Sequence, residues 1–378
     1  ALPKCYGTGY STAINNTMNL DLLLNQKLDF ITKGLSAEIK GAYNTSYGFT
    51  KKRKGQVEQF MPFYQSSLED PSLGYDSPDF NKNIVYKIKG ENKSLQYDET
   101  SSRARDWYLE ASLRYNRKFG SHNVGGLFLY NQSKKYYPAQ WVGVPSAYIG
   151  FVGRLTYDYK SRYMAEVNFG YNGSERFHKS KRFGFFPSAG LAWVVSNESF
   201  WDPFKDVVSK LKLRASYGIV GNDAIGSGRF LYLSDINMND SKYGANFGYN
   251  YDYHRDGISV KRYSDPEITW EKSAKTNFAL EFTLFNDLNV TAEYYTERRK
   301  SILQQRTSIP ASMGLWVQPY ANLGEAKGHG VDLSLDYNKY FANKSWLQLR
   351  GNFTYATSEY MVYEDYEYPG AWWKQKVG

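Results

Sequence analysis

Between Thr276 and Glu297 the chain reads TNFALEFTLFNDLNVTAEYYTE. Phe278, Leu280, Phe282 and Leu284 alternate with Asn277, Ala279, Glu281 and Thr283. Beyond Phe285-Asn286-Asp287 the alternation resumes, with Leu288, Val290, Ala292 and Tyr294 against Asn289, Thr291, Glu293 and Tyr295. Side chains alternate across a strand, so this period predicts two strands with one apolar and one polar face. A three-residue loop pairs Leu284 with Leu288, Phe282 with Val290, Leu280 with Ala292 and Phe278 with Tyr294, so apolar meets apolar throughout. A two-residue loop would set Leu284 against Asn289 and mix the faces, as any one-residue slip does. Asn and Asp tolerate the positive φ that short loops need.

The same period recurs along the chain. Leu20, Leu22, Leu24, Leu28 and Phe30 alternate before a turn at Lys33-Gly34, and Leu35, Ala37, Ile39, Gly41 and Tyr43 after it. Trp107 to Tyr115 and Val124 to Tyr130 flank FGSHN; Phe151 to Tyr159 and Tyr163 to Phe169 flank Lys160-Ser161-Arg162. Leu191 and Trp193 end one strand, Leu211 to Tyr217 begin the next, and Val331 to Tyr337 meet Leu347 to Phe353. This amounts to about twelve strands and no long amphipathic helix, with room for one helical turn in Asn197–Val208. Short turns alternate with long polar segments at 50–106, 132–147, 173–183, 220–272, 297–328 and 357–378. That asymmetry is expected of an outer-membrane barrel, with short periplasmic turns and long external loops.

The polar positions agree. Glu110, Arg114, Arg154, Asp158, Glu166, Lys212, Arg214, Glu281, Glu293, Asp332, Asp336 and Arg350 all fall opposite the apolar face. The expected register sets Arg350 opposite Ser334, with Asp332 and Asp336 on the diagonals. Tyr157, Tyr159, Trp193, Tyr217, Tyr337, Trp346 and Tyr355 cluster near strand ends, as interface girdles do. Leu127 and Leu129 break the rule by making Val124–Tyr130 apolar on both faces. The fold class is all-β, an antiparallel transmembrane β-barrel whose apolar face meets lipid.

Composition narrows this further. Of 378 residues, 35 are Tyr and 17% are aromatic, a strand-favouring mixture. Mean hydropathy is −0.61, and no apolar run approaches the ~18 residues of a membrane helix, which leaves a barrel open. Cys5 is the single cysteine, so no intrachain disulfide forms, and Lys4 before it does not suit a lipid-anchor cysteine. The first residues carry no basic-then-apolar export signal. The net charge of +9 is spread along the chain, with a cluster at Lys51-Lys52-Arg53-Lys54 and no nucleic-acid-binding motif. Basic loops beside an anionic membrane or acidic ligand account for it, and nucleic acid is not an expected partner.

Catalytic chemistry is sparse. His122, His178, His254 and His329 lie far apart in turns and loops, without metal-ligand spacing. Asp235-Ile-Asn237-Met-Asn239-Asp240 begins like a calcium loop, then has Asp240 where Gly is required and Asn246 where Glu belongs. No nucleophile motif of the G-x-S-x-G kind occurs, so neither enzyme activity nor a metal or other cofactor is expected. Tyr136, Tyr137, Trp141, Trp316, Tyr320, Trp372 and Trp373 fall in the long segments. Such rings either stack on sugars or grip peptides, or pack the loops against each other and a partner protein.

Several stretches resemble the barrel of SusC/RagA-type TonB-dependent transporters. GFFPSAGLAWVVSNESF (Gly184–Phe200), LKLRASYGIVGND (Leu211–Asp223), TWEKSAKTNFALEF (Thr269–Phe282), IPASMG (Ile309–Gly314) and NLGEAKGHGVDLSL (Asn322–Leu335) are similar to that family's motifs and follow in its order. YNGSERF (Tyr171–Phe177) resembles a loop entry with Asn172 in place of Asp; Gly328 stands where Asn, and Asp332 where Glu, is usual. The resemblance covers residues 150–356. It implies an outer-membrane barrel of about 22 strands filled by an N-terminal plug. On that basis residues 1–378 are part of a barrel, with the plug and TonB box absent from this chain. The resemblance also implies TonB-coupled import of oligosaccharides or peptides. Its partners would be a SusD-like surface lipoprotein lid, TonB, outer-membrane lipid and lipopolysaccharide, and it allows a dimer of transporter–lipoprotein pairs. Arg154, Asp158, Glu166, Arg214, Glu281, Glu293, Asp332, Asp336 and Arg350 would then face the lumen and plug. The loop aromatics would face substrate. A passive porin-like channel and a soluble β-rich glycan-binding or adhesin module are the alternatives.

Overall fold

The computed structural model describes residues 9–56, 58–64, 84–138, 141, 143–224, 228–366 and 368–377, with no side chains given for 61–64 and 84–87. Cys5 lies outside the described residues. Sixteen strands are described: β1 (Gly9–Lys27), β2 (Leu35–Gln56), β3 (Gln59–Tyr64), β4 (Ile84–Lys89), β5 (Lys93–Phe119), β6 (His122–Tyr136), β7 (Ser146–Tyr159) and β8 (Tyr163–Ser174). The series continues with β9 (Phe183–Val194), β10 (Val208–Asn222), β11 (Asp235–Phe247), β12 (Tyr253–Arg262), β13 (Glu271–Leu284), β14 (Leu288–Gln305), β15 (Tyr320–Tyr340) and β16 (Trp346–Val362). Twelve form one sheet in the order β1-β2-β5-β6-β7-β8-β9-β10-β13-β14-β15-β16, while β3–β4 and β11–β12 are separate hairpins. Each strand of the large sheet therefore pairs with the next in sequence once those hairpins are set aside, as in an up-and-down meander.

The twelve expected strands are there, but many are longer than the alternation suggested. β5 has 27 residues, β15 has 21 and β14 has 18. About 9–11 tilted residues cross a bilayer, so the remainder continues past it. Beyond the lipid the outward face turns polar and the alternation that marks a strand disappears. Much of what reads as loop in 50–106, 220–272 and 297–328 is therefore strand.

The chain divides into two compact units, Ala1–Leu20 with Tyr43–Asp106, and Asp21–Ala42 with Trp107–Gly378. In the first, the Thr45 hydroxyl donates to the Ala104 carbonyl (3.3 Å) and Arg53 lies over the Tyr97 ring (4.7 Å). In the second, Leu28 and Phe30 fall in the turn after β1 rather than in the strand. That turn ends at Gly34, whose φ is +88° and whose carbonyl accepts from the Asn116 amide; a Cβ there would stand 2.0 Å from the Asn116 oxygen, so only glycine fits.

The β13–β14 register is the expected one: Leu284 faces Leu288, Phe282 faces Val290, Leu280 faces Ala292 and Phe278 faces Tyr294. Positive φ falls on Phe285 and Asn286. Lys160 and Ser161 are both left-handed between β7 and β8, and Asp158 accepts from the Ser161 amide (2.7 Å). The β9–β10 connection holds 310 turns at Val195–Asn197 and Ser199–Phe204, the helical turn anticipated there. One register differs. Arg350 sits opposite Asp336 and Ser334 opposite Asn352, because the turn is Phe341–Ser345 with Lys344 left-handed, which slides the pairing by two residues. The face is preserved, and opposite charges meet directly at 3.0 Å.

Burial on the sheet is inverted relative to a water-soluble protein. Leu155 and Leu191 on the apolar face are each 66% exposed, while Ala279 on the polar face is 6% exposed. The apolar rows also slope. On β13–β16 they run from Leu284-Leu288-Tyr337-Leu349 to Phe278-Tyr294-Val331-Tyr355, and Thr276-Thr296-His329-Thr357 follows. On β7–β9 they run from Tyr159-Tyr163-Trp193 to Phe151-Tyr171-Phe185. Traced through the registers, the band shifts by four to six residues across about four strand spacings, a slope of roughly 30–45°. That is close to the ~35–45° tilt of strands in a membrane barrel. A buried aromatic core lies elsewhere: Phe177, Phe186, Leu231, Ile268 and Trp270, with Tyr148, Ile219 and Leu303 against it.

Candidate functional site

The inward face carries a ladder of ion pairs. Arg154 meets Glu166 at 2.7 Å across β7 and β8. Arg214 on β10 reaches Glu281 on β13 (2.6 Å) and, one strand further, Glu293 on β14 (2.7 Å). It can do so because both residues directly opposite it, Ala192 and Ala279, are small. Lys210 and Lys212 also approach Glu281 (3.3 and 3.6 Å), and Asn277 donates to Glu293 (2.9 Å). Asp336 and Arg350 close the series on β15 and β16. Leu127 points into this face opposite Arg154, the one apolar interruption anticipated from sequence besides Leu129.

Two expected members behave differently. Asp158 caps the Lys160-Ser161 turn and belongs to that turn rather than to an ion pair across strands. Asp332 lies opposite Glu293, and its buried Oδ1 has no hydrogen-bond partner. Two carboxylates side by side leave an unsatisfied polar position on this wall.

The seven aromatic candidates fall into separate groups. Trp141 meets Phe230 edge-on (5.6 Å), and Phe230 meets Tyr232 (6.0 Å), which contacts His178 (5.8 Å). Trp316 packs edge-on against Tyr243 of β11 (4.8 Å), and its amide donates to the Tyr263 hydroxyl. Tyr136 and Tyr137 are near neighbours (6.5 Å), with Lys134 over Tyr136. Tyr320 opens β15 opposite Gln305. Trp372 and Trp373 contact each other in a 310 turn and are 77% and 65% exposed. Trp141 and Trp316 each touch another loop yet stay 44% and 50% exposed, and Trp372 and Trp373 are more open still.

What holds these segments together was not singled out from sequence. Trp270 packs on Phe177 (5.3 Å) and Phe186 (5.2 Å), and its indole N–H donates to the Arg182 carbonyl. Arg229, 6% exposed, donates to the carbonyls of Val144 and Pro145 and pairs with Glu175 (3.1 Å). Asn322 accepts from the Thr269 amide and donates to the Thr269 and Ser301 carbonyls, closing the bulge where Ser301 has φ +58°. Glu175, Trp270 and Asn322 all sit in the quoted motifs, but which motif touches which is a tertiary matter. At Glu364, burial pushes the carboxyl up, yet hydrogen bonds from Ser308 and Arg306 outweigh it and hold it below its ordinary value. The segment that begins like a calcium loop is strand β11, where Asp240 accepts from the Ser259 hydroxyl (2.5 Å).

An outward apolar band, an ion ladder on the opposite face and long strands bearing packed loops describe an outer-membrane β-barrel, and the comparisons agree. The family described as TonB dependent receptor-like, beta-barrel, matches residues 9–374, and this chain belongs to it. TonB-dependent receptor P26 of Formosa agariphila is 28% identical over 328 residues, 78% of this chain and 31% of that protein. TonB-dependent receptor SusC of Bacteroides thetaiotaomicron is 29% identical over 213 residues, 56% of this chain and 20% of that protein. Among solved structures, the RagAB peptide importer in its open-open state superposes with a TM-score of 0.68 at 19% identity, over 97% of this chain and 39% of that one. The chain spans under a third of the length of the curated relatives it matches. It is an outer-membrane barrel sequence of the TonB-dependent-receptor type.

Proposed function

We propose that this chain forms part of an active importer of oligosaccharides or peptides, energised through TonB and closed from outside by a SusD-like lipoprotein. The observation that carries the reading is the inward ladder of Arg154, Glu166, Arg214, Glu281, Glu293, Asp336 and Arg350 behind an outward apolar band. A wall so lined hydrates a wide lumen and offers paired charges to a plug domain, in a barrel of about 22 strands to which these twelve belong. Exposed Trp372 and Trp373 supply flat amphipathic surface for cargo or lid. The likeness to the RagAB peptide importer and to SusC supports the substrate class and the partnership.

The test is uptake by the full-length protein in cells with and without TonB. Uptake of a large oligosaccharide or peptide should require TonB. Undiminished uptake without it would make the barrel a passive pore, and recovery of the protein from cells without detergent would make it a soluble β-rich module.

A further inference from the structure

Where β14 and β16 run on past the apolar band, the segments that follow them close on each other. The Glu364 amide donates to the Gln304 side-chain oxygen (2.8 Å), and the Thr307 hydroxyl donates to the Glu364 carbonyl (2.8 Å). The Glu364 carboxylate accepts from Arg306 Nε (2.9 Å) and from the Ser308 hydroxyl. The chain then returns, and Val377 bridges to Tyr360 of β16. Tyr360 stands opposite Ala326, and Ala326 opposite Arg299, an even step along β14 from Glu293, so Tyr360 belongs to the face of the ion ladder. These contacts enclose a recess of about 370 Å³, at the small end of the ~300–1,000 Å³ usual for ligand sites.

An ammonium already has a seat there. Lys376 Nζ lies over the Tyr363 ring (4.4 Å from its centroid), donates to the Tyr363 hydroxyl (3.1 Å) and comes within 3.8 Å of Asp365 Oδ2. Tyr360 meets Tyr363 edge-on (5.0 Å). An aromatic face beside a carboxylate favours a cation. The seat is loosely filled, because 3.8 Å is beyond hydrogen-bond range and the Lys376 side chain is 51% exposed. Asp365 Oδ1 accepts from the Tyr366 amide (2.9 Å), whereas the buried Oδ2 has no hydrogen bond among the described residues. A second buried atom in the lining is a donor without a partner. Gln304 is 8% exposed, its Oε1 is taken by the Glu364 amide, and its Nε2 is unpaired. A buried acceptor and a buried donor left open along one recess suit a ligand that supplies one of each.

We infer that this recess binds a primary ammonium with a neighbouring carbonyl or hydroxyl oxygen, and that Lys376 holds the seat as an internal competitor. The ammonium would replace that of Lys376 between Tyr363 and Asp365 Oδ2, and the adjacent oxygen would accept from Gln304 Nε2. A peptide N-terminus and an amino sugar both carry this pair of groups. The site depends on the proposed import only for the fate of the ligand, not for its binding.

The test is calorimetric titration of the full-length protein in detergent with tetraglycine and with a glucosamine disaccharide, each beside its N-acetylated form. At about pH 6.5 the α-amino group of the peptide is charged. In at least one series the free amine should bind about fivefold or more tightly than the acetylated form, which has lost the charge. The series with the larger ratio identifies the source. Lys376→Gln should tighten binding of the free amine several-fold by removing the competitor. Asp365→Asn should weaken it about tenfold or more, and Tyr363→Leu about two- to fivefold. If Asp365→Asn does not fold, the opposite signs expected of Lys376→Gln and Tyr363→Leu carry the test. Equal binding of free and acetylated forms, no binding in either series, or a Lys376→Gln protein that takes free amines no better would overturn the site. TonB-dependent uptake alongside such a failure would leave the import reading standing, and amine binding alongside TonB-independent uptake would leave the site standing without it.

Discussion

Phe185 and Phe186 are neighbours in β9, yet Phe185 is 56% exposed and Phe186 is 8% exposed. Phe186 is covered by Trp270 and belongs to the core that binds the upper loops together. Phe185 contacts the Phe169 ring and lies opposite Tyr171 on the outward rows, and Leu155, Leu191 and Phe278 on the same face are exposed in the same way. An exposed apolar surface this continuous is stable only if something other than water covers it. The two regions use the same residue types with different solvents: protein above and inside, lipid outside. The core should therefore obey cavity energetics and the band should obey depth-dependent transfer into lipid.

The largest effect should come from the core. Trp270→Ala should cost about 3–5 kcal/mol, read as loss of unfolding free energy of the full-length protein in detergent. A loss below about 1 kcal/mol would mean that Phe177, Phe186 and Trp270 contribute no shared core.

On the band, Leu280→Arg should cost about 2–4 kcal/mol in refolding into lipid vesicles. Glu281, one residue on, faces inward among Lys210, Lys212 and Arg214, so its informative change is Glu281→Gln rather than an added cation. Its cost should be about 1 kcal/mol or less, and equal damage from the two would show both faces buried in protein.

A smaller effect resolves the ladder. The Arg214 and Glu293 side chains are about a third exposed, so a double-mutant cycle with Arg214→Gln and Glu293→Gln should return a coupling of about 0.5–1 kcal/mol. Zero coupling would mark the pair as independently hydrated.

The smallest effect concerns the short-turn end. Hydrogen bonds from Tyr163 and Trp193, together with the Arg162 charge, hold the Glu198 carboxyl below its ordinary value. A depressed folded value means the unfolded state binds more protons, so this stabilisation is complete above about pH 4.3 and is lost as pH falls through the folded value. Glu198→Gln should flatten the acid limb of a Tm-against-pH curve below about pH 4. An unchanged limb would assign acid sensitivity to other carboxylates.

Much of this was legible in the chain itself. Period-two alternation placed the twelve sheet strands, told the faces apart and set the β13–β14 register, because a one-residue slip of either strand would put its glutamate, Glu281 or Glu293, among the apolar rows. The placing of Arg154, Arg214 and Arg350 on the face opposite the apolar rows followed from the same parity. Alternation is silent where both faces meet water, which is why the extensions of β5, β14 and β15 and the hairpins β3–β4 and β11–β12 read as loop. Parity also cannot tell one register from another two residues away, so Arg350 was set against Ser334 instead of Asp336 until the Phe341–Ser345 turn decided it. The fate of each loop aromatic depended on partners far along the chain: Trp141 on Phe230, Trp316 on Tyr243, Trp270 on Phe177. Local pattern determines which way a strand faces, since the pleat repeats every two residues; only the folded chain decides which loop covers which, since those contacts join segments that no period relates.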